Sequence, residues 1–126
     1  MPRLPAITPA ESEVMEVLWR ESPLPAEEIA ARLQKSLDWQ LPTVKTLINR
    51  LLRKKALRAS KEGRRYLYQP CVSREQWLAT ESAGLLDRLF DGRVAPFVAH
   101  FSRQRKLSAR DIEEIGAILK ELKHGR

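Results

Sequence analysis

Nine cationic side chains lie between residues 45 and 65, with a single anion, Glu62, among them. Their local formal charge of +8 exceeds the +7 of the whole chain, so the remaining residues are close to neutral. Such a concentration predicts a phosphate-binding surface, because lysine and arginine neutralise the nucleic-acid backbone. A solvated basic face that only keeps the protein in solution is the alternative interpretation. The cations are Lys45, Arg50, Arg53, Lys54, Lys55, Arg58, Lys61, Arg64 and Arg65.

Polar side chains that can read bases begin just before these cations and alternate with them. In the major groove an arginine can form two hydrogen bonds to guanine, and an asparagine can do so to adenine. Threonine can bond phosphate or contact a thymine methyl group, and the remaining cations supply affinity and register on the backbone. The predicted recognition residues are Pro42, Thr43, Lys45, Thr46, Asn49, Arg50 and Arg53, and the predicted backbone contacts are Lys54, Lys55, Lys61, Arg64 and Arg65.

A helix followed by a β-hairpin is predicted to hold these residues in place. The hairpin strands are expected at residues 57–60 and 65–69, on either side of a Lys-Glu-Gly-Arg turn. Gly63 can supply the positive φ that such turns need. The helix is predicted from an apolar stripe at the spacing i, i+3, i+4, i+7, i+8, which comprises Val44, Leu47, Ile48, Leu51 and Leu52.

Two further helices are predicted before this unit. Thr8-Pro9-Ala10-Glu11 has the pattern of a capping box with proline at the first helical position, so a helix should begin at Pro9. A second helix is expected over residues 26–35, followed by a connector at 37–41 whose Trp39 packs under the third helix. This order of elements predicts a winged helix-turn-helix over residues 1–70.

Aromatic residues of the same region are candidates for base stacking. Trp19 falls in the apolar stripe of the first helix, so we expect it in the core. Tyr66 and Tyr68 lie on the returning strand of the hairpin, and we expect them to pack against the helices.

Residues 71–126 are predicted to form a second, helical domain. Ser73 opens a capping box, Asp91-Gly92 ends the helix that follows, and another helix covers residues 94–101. After a polar break at residues 102–106, Ser108 caps the last helix. The fold class is thus mainly α with a small β-hairpin wing, a winged helix-turn-helix followed by a helical C-terminal segment.

The C-terminal segment carries more large apolar residues than so short a chain can bury alone. The simplest partner for this surplus is the same segment of a second chain, which gives a two-fold homodimer. Folding back of these helices onto the winged helix is the alternative. The predicted dimerisation residues are Trp77, Leu85, Leu86, Leu89, Phe90, Phe97, Val98, Phe101, Ile112, Ile115, Ile118, Leu119 and Leu122.

Several functional classes are disfavoured by the composition. The single cysteine, Cys71, rules out an intramolecular disulfide, and His100 and His124 have no neighbours at metal-ligand spacing. No phosphate-binding glycine loop or nucleophile motif occurs, so we expect neither an enzyme nor a cofactor or metal. No apolar run reaches the roughly 18 residues of a membrane span, and residues 1–5 lack the apolar core of a signal peptide. A cytoplasmic protein without membrane insertion is the expectation.

Four segments, in order and at matching spacing, resemble the penicillinase-repressor (BlaI/MecI/CopY) family of winged-helix transcriptional regulators. Residues 10–19 read Ala-Glu-Ser-Glu-Val-Met-Glu-Val-Leu-Trp, and residues 61–70 form a similar wing. Residues 107–114, Leu-Ser-Ala-Arg-Asp-Ile-Glu-Glu, resemble the start of the family's last helix. The recognition segment is similar at Trp39, Thr43, Val44, Thr46, Leu47, Arg50 and Leu51.

The resemblance implies a homodimeric repressor that occupies a dyad-symmetric operator and blocks transcription. In the antibiotic-responsive branch, a membrane sensor metalloprotease leads to cleavage of an Asn-Phe bond in the dimerisation segment. The corresponding bond here is His100-Phe101, with histidine in place of the asparagine. The copper branch carries a cysteine-rich C-terminal motif, which this chain lacks, and Gln40 replaces the serine that usually starts the recognition helix.

Two other functions use the same cations. A sequence-neutral DNA-binding or architectural protein would bind any duplex with equal affinity. A winged-helix protein-interaction module would dock its basic hairpin on an acidic partner and would show no salt-dependent DNA binding. The polar residues of the third helix favour a sequence-specific repressor over both.

Overall fold

The chain folds into two compact units, Met1–Glu81 and Ser82–Arg126, in a computed structural model that describes residues 4–125. Residues 1–3, which belong to the N-terminal stretch that lacks the apolar core of a signal peptide, lie outside the described residues. The predicted fold class is confirmed, with helices throughout and one two-stranded antiparallel hairpin. The elements are α1 (Pro9–Arg20), α2 (Ala26–Leu37), α3 (Leu41–Arg53), β1 (Leu57–Glu62), β2 (Arg65–Pro70), α4 (Arg74–Phe90), α5 (Val94–Gln104) and α6 (Ala109–His124).

Helices α1, α2 and α3 enclose the hydrophobic core of the first unit. The predicted capping box starts α1: Glu11 N donates to Thr8 Oγ1 at 3.1 Å, and Thr8 N donates to Glu11 Oε1 at 3.0 Å. The apolar stripes of the three helices then meet, and Trp19 and Trp39 pack against them as predicted. The largest fully buried apolar side chains are Val14, Met15, Leu18, Ile29, Val44, Ile48 and Leu51.

The hairpin is longer and its turn tighter than predicted. Glu62 pairs with Arg65, so only Gly63 and Arg64 form the turn, in place of the four residues expected. The positive φ of Gly63, 65°, allows this two-residue connection, as its position suggested. The backbone of Tyr68 exchanges hydrogen bonds of 2.8 and 3.1 Å with Leu24, which fastens the wing to the segment before α2.

The first compact unit, Met1–Glu81, includes the first turns of α4. The ring of Trp77 packs on that of Trp19 with a centroid distance of 5.3 Å. Trp77, one of the predicted dimerisation residues, therefore uses part of its apolar surface within its own chain.

The second unit leaves most of its apolar side chains accessible. Within the described residues, α4, α5 and α6 contain no fully buried residue. A small aromatic cluster forms where Phe97 lies 5.6 Å from Phe90 and 6.0 Å from Phe101, measured between ring centroids. Helix α5 continues to Gln104, so the predicted break at residues 102–106 is shorter than expected. The exposed predicted dimerisation residues are Leu89, Val98, Ile112, Ile118, Leu119 and Leu122.

Two features of residues 4–125 bear on other functional classes. No helix in this range combines the length and the apolar character that crossing a bilayer requires. In the same range, histidine, cysteine, aspartate and glutamate side chains form no group of three or more that could hold a metal ion.

Candidate nucleic-acid interface

The recognition residues predicted on α3 all lie on its exposed face. The apolar residues of α3 recur with helical period and are buried on one face of the helix. The polar residues between them therefore lie on the opposite face, which points away from the core. Gln40, which replaces the family's serine, precedes the helix without a side-chain capping bond. Exposed on α3 are Pro42, Thr43, Lys45, Thr46, Asn49, Arg50 and Arg53.

The hydroxyl of Thr46 is already engaged within α3. Its Oγ1 donates to the carbonyl oxygen of Pro42 at 3.0 Å. The single hydroxyl proton is thereby used, which leaves the lone pairs as acceptors and the methyl group for apolar contact. Thr46 therefore suits a base-edge donor or a thymine methyl group better than a phosphate, which can only accept. No such restriction is seen for Thr43 within the described residues.

The wing presents its cations at its tip. Lys61, Arg64 and Arg65 are exposed, and Arg65 lies 3.7 Å from Glu62, an exposed pair that contributes little stability. Lys61 Nζ lies 5.8 Å from the centroid of the Tyr66 ring, its cross-strand partner. The prediction that Tyr66 packs against the helices is wrong: it is 51% exposed, because it sits at the tip of the hairpin.

Tyr68, two residues further along β2, follows the prediction and packs against the core. Burial raises the pKa of its phenol, and the negative charge of Glu27 and the neighbouring Tyr66 raise it further. Tyr68 therefore stays protonated at neutral pH and contributes no charge to the interface.

A cleft of about 210 Å³ brings the recognition helix and the wing together. Lys45 of α3 lines it together with Arg64 and Arg65 of the wing. Glu27, at the start of α2, supplies a carboxylate that was not anticipated. Three cations against one anion leave the cleft with a net positive lining, which suits a phosphate group. The remaining lining residues are Ala26, Tyr66 and Tyr68.

Lys54, one of the predicted phosphate contacts, is engaged within its own unit. Its ammonium donates to Glu11 Oε1 and, at 2.9 Å, to the carbonyl oxygen of Ala6. Glu11 is only 1% exposed, so Lys54 neutralises a buried carboxylate and joins the end of α3 to the start of α1. The next residue, Lys55, is exposed, with a φ of 66°, and stays available to phosphate.

The charge state of Glu11 follows from these contacts. Burial raises the pKa of its carboxyl, but the hydrogen bond from Lys54, the backbone hydrogen bond from Thr8 and the charge of Lys54 together lower it below the ordinary value of 4.5. Glu11 is therefore ionised at neutral pH and holds Lys54 in place. Sequence reasoning placed Glu11 in the capping box but missed its burial, since the partner lies 43 residues away.

Comparison with known proteins supplies a family context for this surface. A profile described as penicillinase repressor matches residues 7–121. The chain is 34% identical over 124 residues to the penicillinase repressor of Bacillus licheniformis, covering 98% of this chain and 97% of the relative. It is 29% identical over 113 residues to the methicillin resistance regulatory protein MecI of Staphylococcus aureus strain N315, covering 90% of this chain and 92% of that protein.

Two solved structures of BlaI are similar to more than half of this chain. The DNA-binding domain of the repressor BlaI matches 59% of this chain and 90% of its own, with a TM-score of 0.53 and 38% identity. The monomeric form of Bacillus licheniformis BlaI, in complex with the blaP half-operator, matches 60% of this chain and 92% of its own, with a TM-score of 0.52 and 37% identity.

Proposed function

Because this chain belongs to the penicillinase repressor family, we propose that it represses transcription by binding a dyad-symmetric DNA operator as a homodimer. The family is one of transcriptional repressors and not of enzymes, in agreement with the sequence analysis. The observation that carries the proposal is the exposed polar face of α3 beside the cationic wing. The BlaI domain that binds a half-operator resembles the unit that bears this surface.

In this proposal α3 lies in the major groove and reads bases from its exposed face. Arg50 is assigned to guanine and Asn49 to adenine, because these side chains can form two hydrogen bonds to those bases. Lys45, Lys61 and Arg64 bind backbone phosphates and set the register. A protein seated in this way blocks transcription by occupying the DNA. The other proposed contacts are Pro42, Thr43, Thr46, Arg53, Lys55 and Arg65.

The second unit is proposed to hold two chains together. Large apolar side chains are exposed on α4, α5 and α6, and such side chains are typical of a protein–protein interface where they lie together. The apolar residues of α6 include a stripe at the 3-4-3 spacing of a coiled-coil seam, in which Ile112, Leu119 and Leu122 are exposed and Ile115 is half-buried. Two winged helices joined in this way would read half-sites about 10 base pairs apart, or a multiple of that distance.

Relief of repression is proposed to occur by proteolysis near the His100-Phe101 bond, following a membrane sensor metalloprotease system. Both residues lie inside α5, whose backbone is helical from Val94 to Gln104. A protease would therefore reach the bond only after local opening of α5. That opening is favoured by the absence of fully buried residues in this helix.

Selection from random-sequence DNA tests the function. The full chain is expected to enrich a dyad-symmetric duplex and to bind it far more tightly than a scrambled competitor in fluorescence anisotropy, with two chains per duplex. Recovery of no common sequence, with equal affinity for every duplex, would favour the sequence-neutral protein. Absence of salt-dependent binding to any DNA would favour the protein-interaction module.

Replacing Arg50 with alanine is expected to weaken binding to the selected duplex by about 1–3 kcal/mol, because a bidentate contact to a base is lost. Binding to scrambled DNA should change much less. Arg64→Ala is the matched control, since it also removes one arginine: it should weaken binding to both duplexes and reduce the salt dependence. Equal losses on both duplexes for Arg50→Ala would contradict its base-reading role.

A further inference from the structure

The cleft between α3 and the wing contains one carboxylate among its cations. Glu27, in the first turn of α2, lines this cleft together with Lys45, Arg64 and Arg65. Glu27 is exposed, and none of the ion pairs formed within the described residues involves it. Its negative charge is thus close to three cations without being neutralised by contact with one of them.

Glu28, the next residue of α2, is placed differently. It is exposed like Glu27 but lies outside the cleft, and its Oε1 is 3.6 Å from Nη2 of Arg32, one helical turn further along. Two adjacent glutamates of one helical turn therefore have distinct surroundings. One shares a cleft with the predicted phosphate contacts, and the other pairs with an arginine of its own helix.

The position of Glu27 beside the wing is fixed by the backbone. Three residues before it, Leu24 exchanges hydrogen bonds of 2.8 and 3.1 Å with Tyr68 of β2, which holds the start of α2 against the hairpin. Burial raises the pKa of the Tyr68 phenol, and the charge of Glu27 raises it further. Since Tyr68 also lines the cleft, the negative charge of Glu27 acts in the space where a phosphate group would bind.

A phosphate in this cleft would be attracted by the three cations and repelled by Glu27. Between unit charges several ångströms apart at a protein surface, such repulsion changes a binding constant by about three- to tenfold. Every duplex presents the same phosphates, so the repulsion weakens binding to all sequences alike.

We propose that Glu27 limits the affinity of the winged helix for the DNA backbone, so that tight binding depends on base contacts and on a second half-site. The inference rests on the proposed function, since it requires α3 and the wing to bind DNA. A weaker backbone contact leaves base contacts a larger share of the binding free energy, which matters because sequence-neutral sites greatly outnumber an operator.

Glu27→Gln tests the inference, because it removes the charge and keeps the size of the side chain. Fluorescence anisotropy compares a duplex that carries one selected half-site with a scrambled duplex at several salt concentrations. At low salt the variant should bind both duplexes about three- to tenfold more tightly than wild type, with a steeper salt dependence. The ratio of the two affinities should change by less than about twofold, because the contact is to the backbone.

Glu28→Gln is the matched control, since it makes the same chemical change in the same turn of α2 and adds the same unit to the net charge. It should alter the affinity for either duplex by less than about twofold, because Glu28 lies outside the cleft. Both variants lose a carboxylate near the start of α2, so any loss of helix stability is shared. Thermal unfolding of the two variants should therefore agree.

Each outcome has one meaning. An equal gain in affinity in both variants would overturn the inference, because net charge alone would then explain it. Unchanged affinity in Glu27→Gln would overturn it as well, and so would weaker binding, which would show that Glu27 orients the cations for phosphate. A wild-type chain without salt-dependent binding to any duplex would instead overturn the proposed function, a result that is read from the wild type alone.

Discussion

Replacing Glu11 with glutamine is expected to lower the free energy of unfolding by about 2–3 kcal/mol at pH 7. The change removes the negative charge that holds Lys54 against α1 and leaves the ammonium beside a neutral amide. Loss of one partner of a fully buried pair costs about 3–5 kcal/mol. The smaller figure applies because the Lys54 side chain is 32% exposed and can regain contact with water.

The same carboxylate makes stability depend on pH in a predictable direction. The pKa of Glu11 is lower in the folded protein than its ordinary value of 4.5, owing mainly to Lys54 and Thr8, whose effects exceed that of burial. Its contribution is therefore complete above pH 4.5 and is lost as the pH falls through the lower folded pKa. Wild type and Glu11→Gln should then become similar in stability in acid.

Urea unfolding at pH 7, 5 and 3 measures both effects. Glu13→Gln is the matched control, since Glu13 is an exposed glutamate on the same helix, and it should change stability by less than about 0.5 kcal/mol. A Glu11→Gln variant as stable as wild type at pH 7 would show that the pair with Lys54 is replaceable. A difference that grows below pH 4.5 would contradict the direction assigned to the pKa.

The elements that could be predicted from sequence are those specified by neighbouring residues. The capping boxes at Thr8 and Ser73, the apolar stripe of α3 and the positive φ of Gly63 each involve residues at most a few positions apart. These features are determined by local hydrogen bonding and by helical period, so the sequence pattern alone predicts them. For the same reason the exposed recognition face could be predicted, since it is the complement of a buried stripe.

The contacts that could not be predicted from the sequence involve side chains whose partners are distant in sequence. Lys54 was assigned to DNA because it belongs to a basic run, but its partner Glu11 is 43 residues away. Trp77 was assigned to the dimer because it belongs to an apolar segment, but it packs on Trp19. Charge and hydropathy identify what a side chain can bind, whereas tertiary packing determines which partner it meets. The exposed position of Tyr66 has the same origin, since it depends on how far the hairpin extends beyond the helices.

Replacing Leu119 with lysine is expected to have the largest effect on DNA binding. Leu119 is 60% exposed and lies in the middle of the α6 stripe, between Ile115 and Leu122. If that stripe pairs with its copy in a second chain, the change places two cations in one apolar seam, where burial of unpaired charge is costly. The variant should be monomeric at micromolar concentration in analytical ultracentrifugation. Its affinity for the paired operator should then fall by about 10²–10⁴ to that of a single half-site, because the two-site advantage is lost.

Ala117→Lys is the matched control, because it adds the same charge to α6. Ala117 is exposed and lies two positions from Leu119, which places it about 200° around the helix, on the side opposite the stripe. This variant should remain dimeric and bind the operator as wild type does. Half-site affinity should be equal in all three proteins, since α3 and the wing are untouched.

A Leu119→Lys variant that is still dimeric would show that the interface is not formed by the α6 stripe, and the exposed residues of α4 and α5 would then be the candidates. A wild-type chain that is monomeric at micromolar concentration would contradict the dimer proposal itself. The exposed apolar residues of the second unit would then have to bind a different partner.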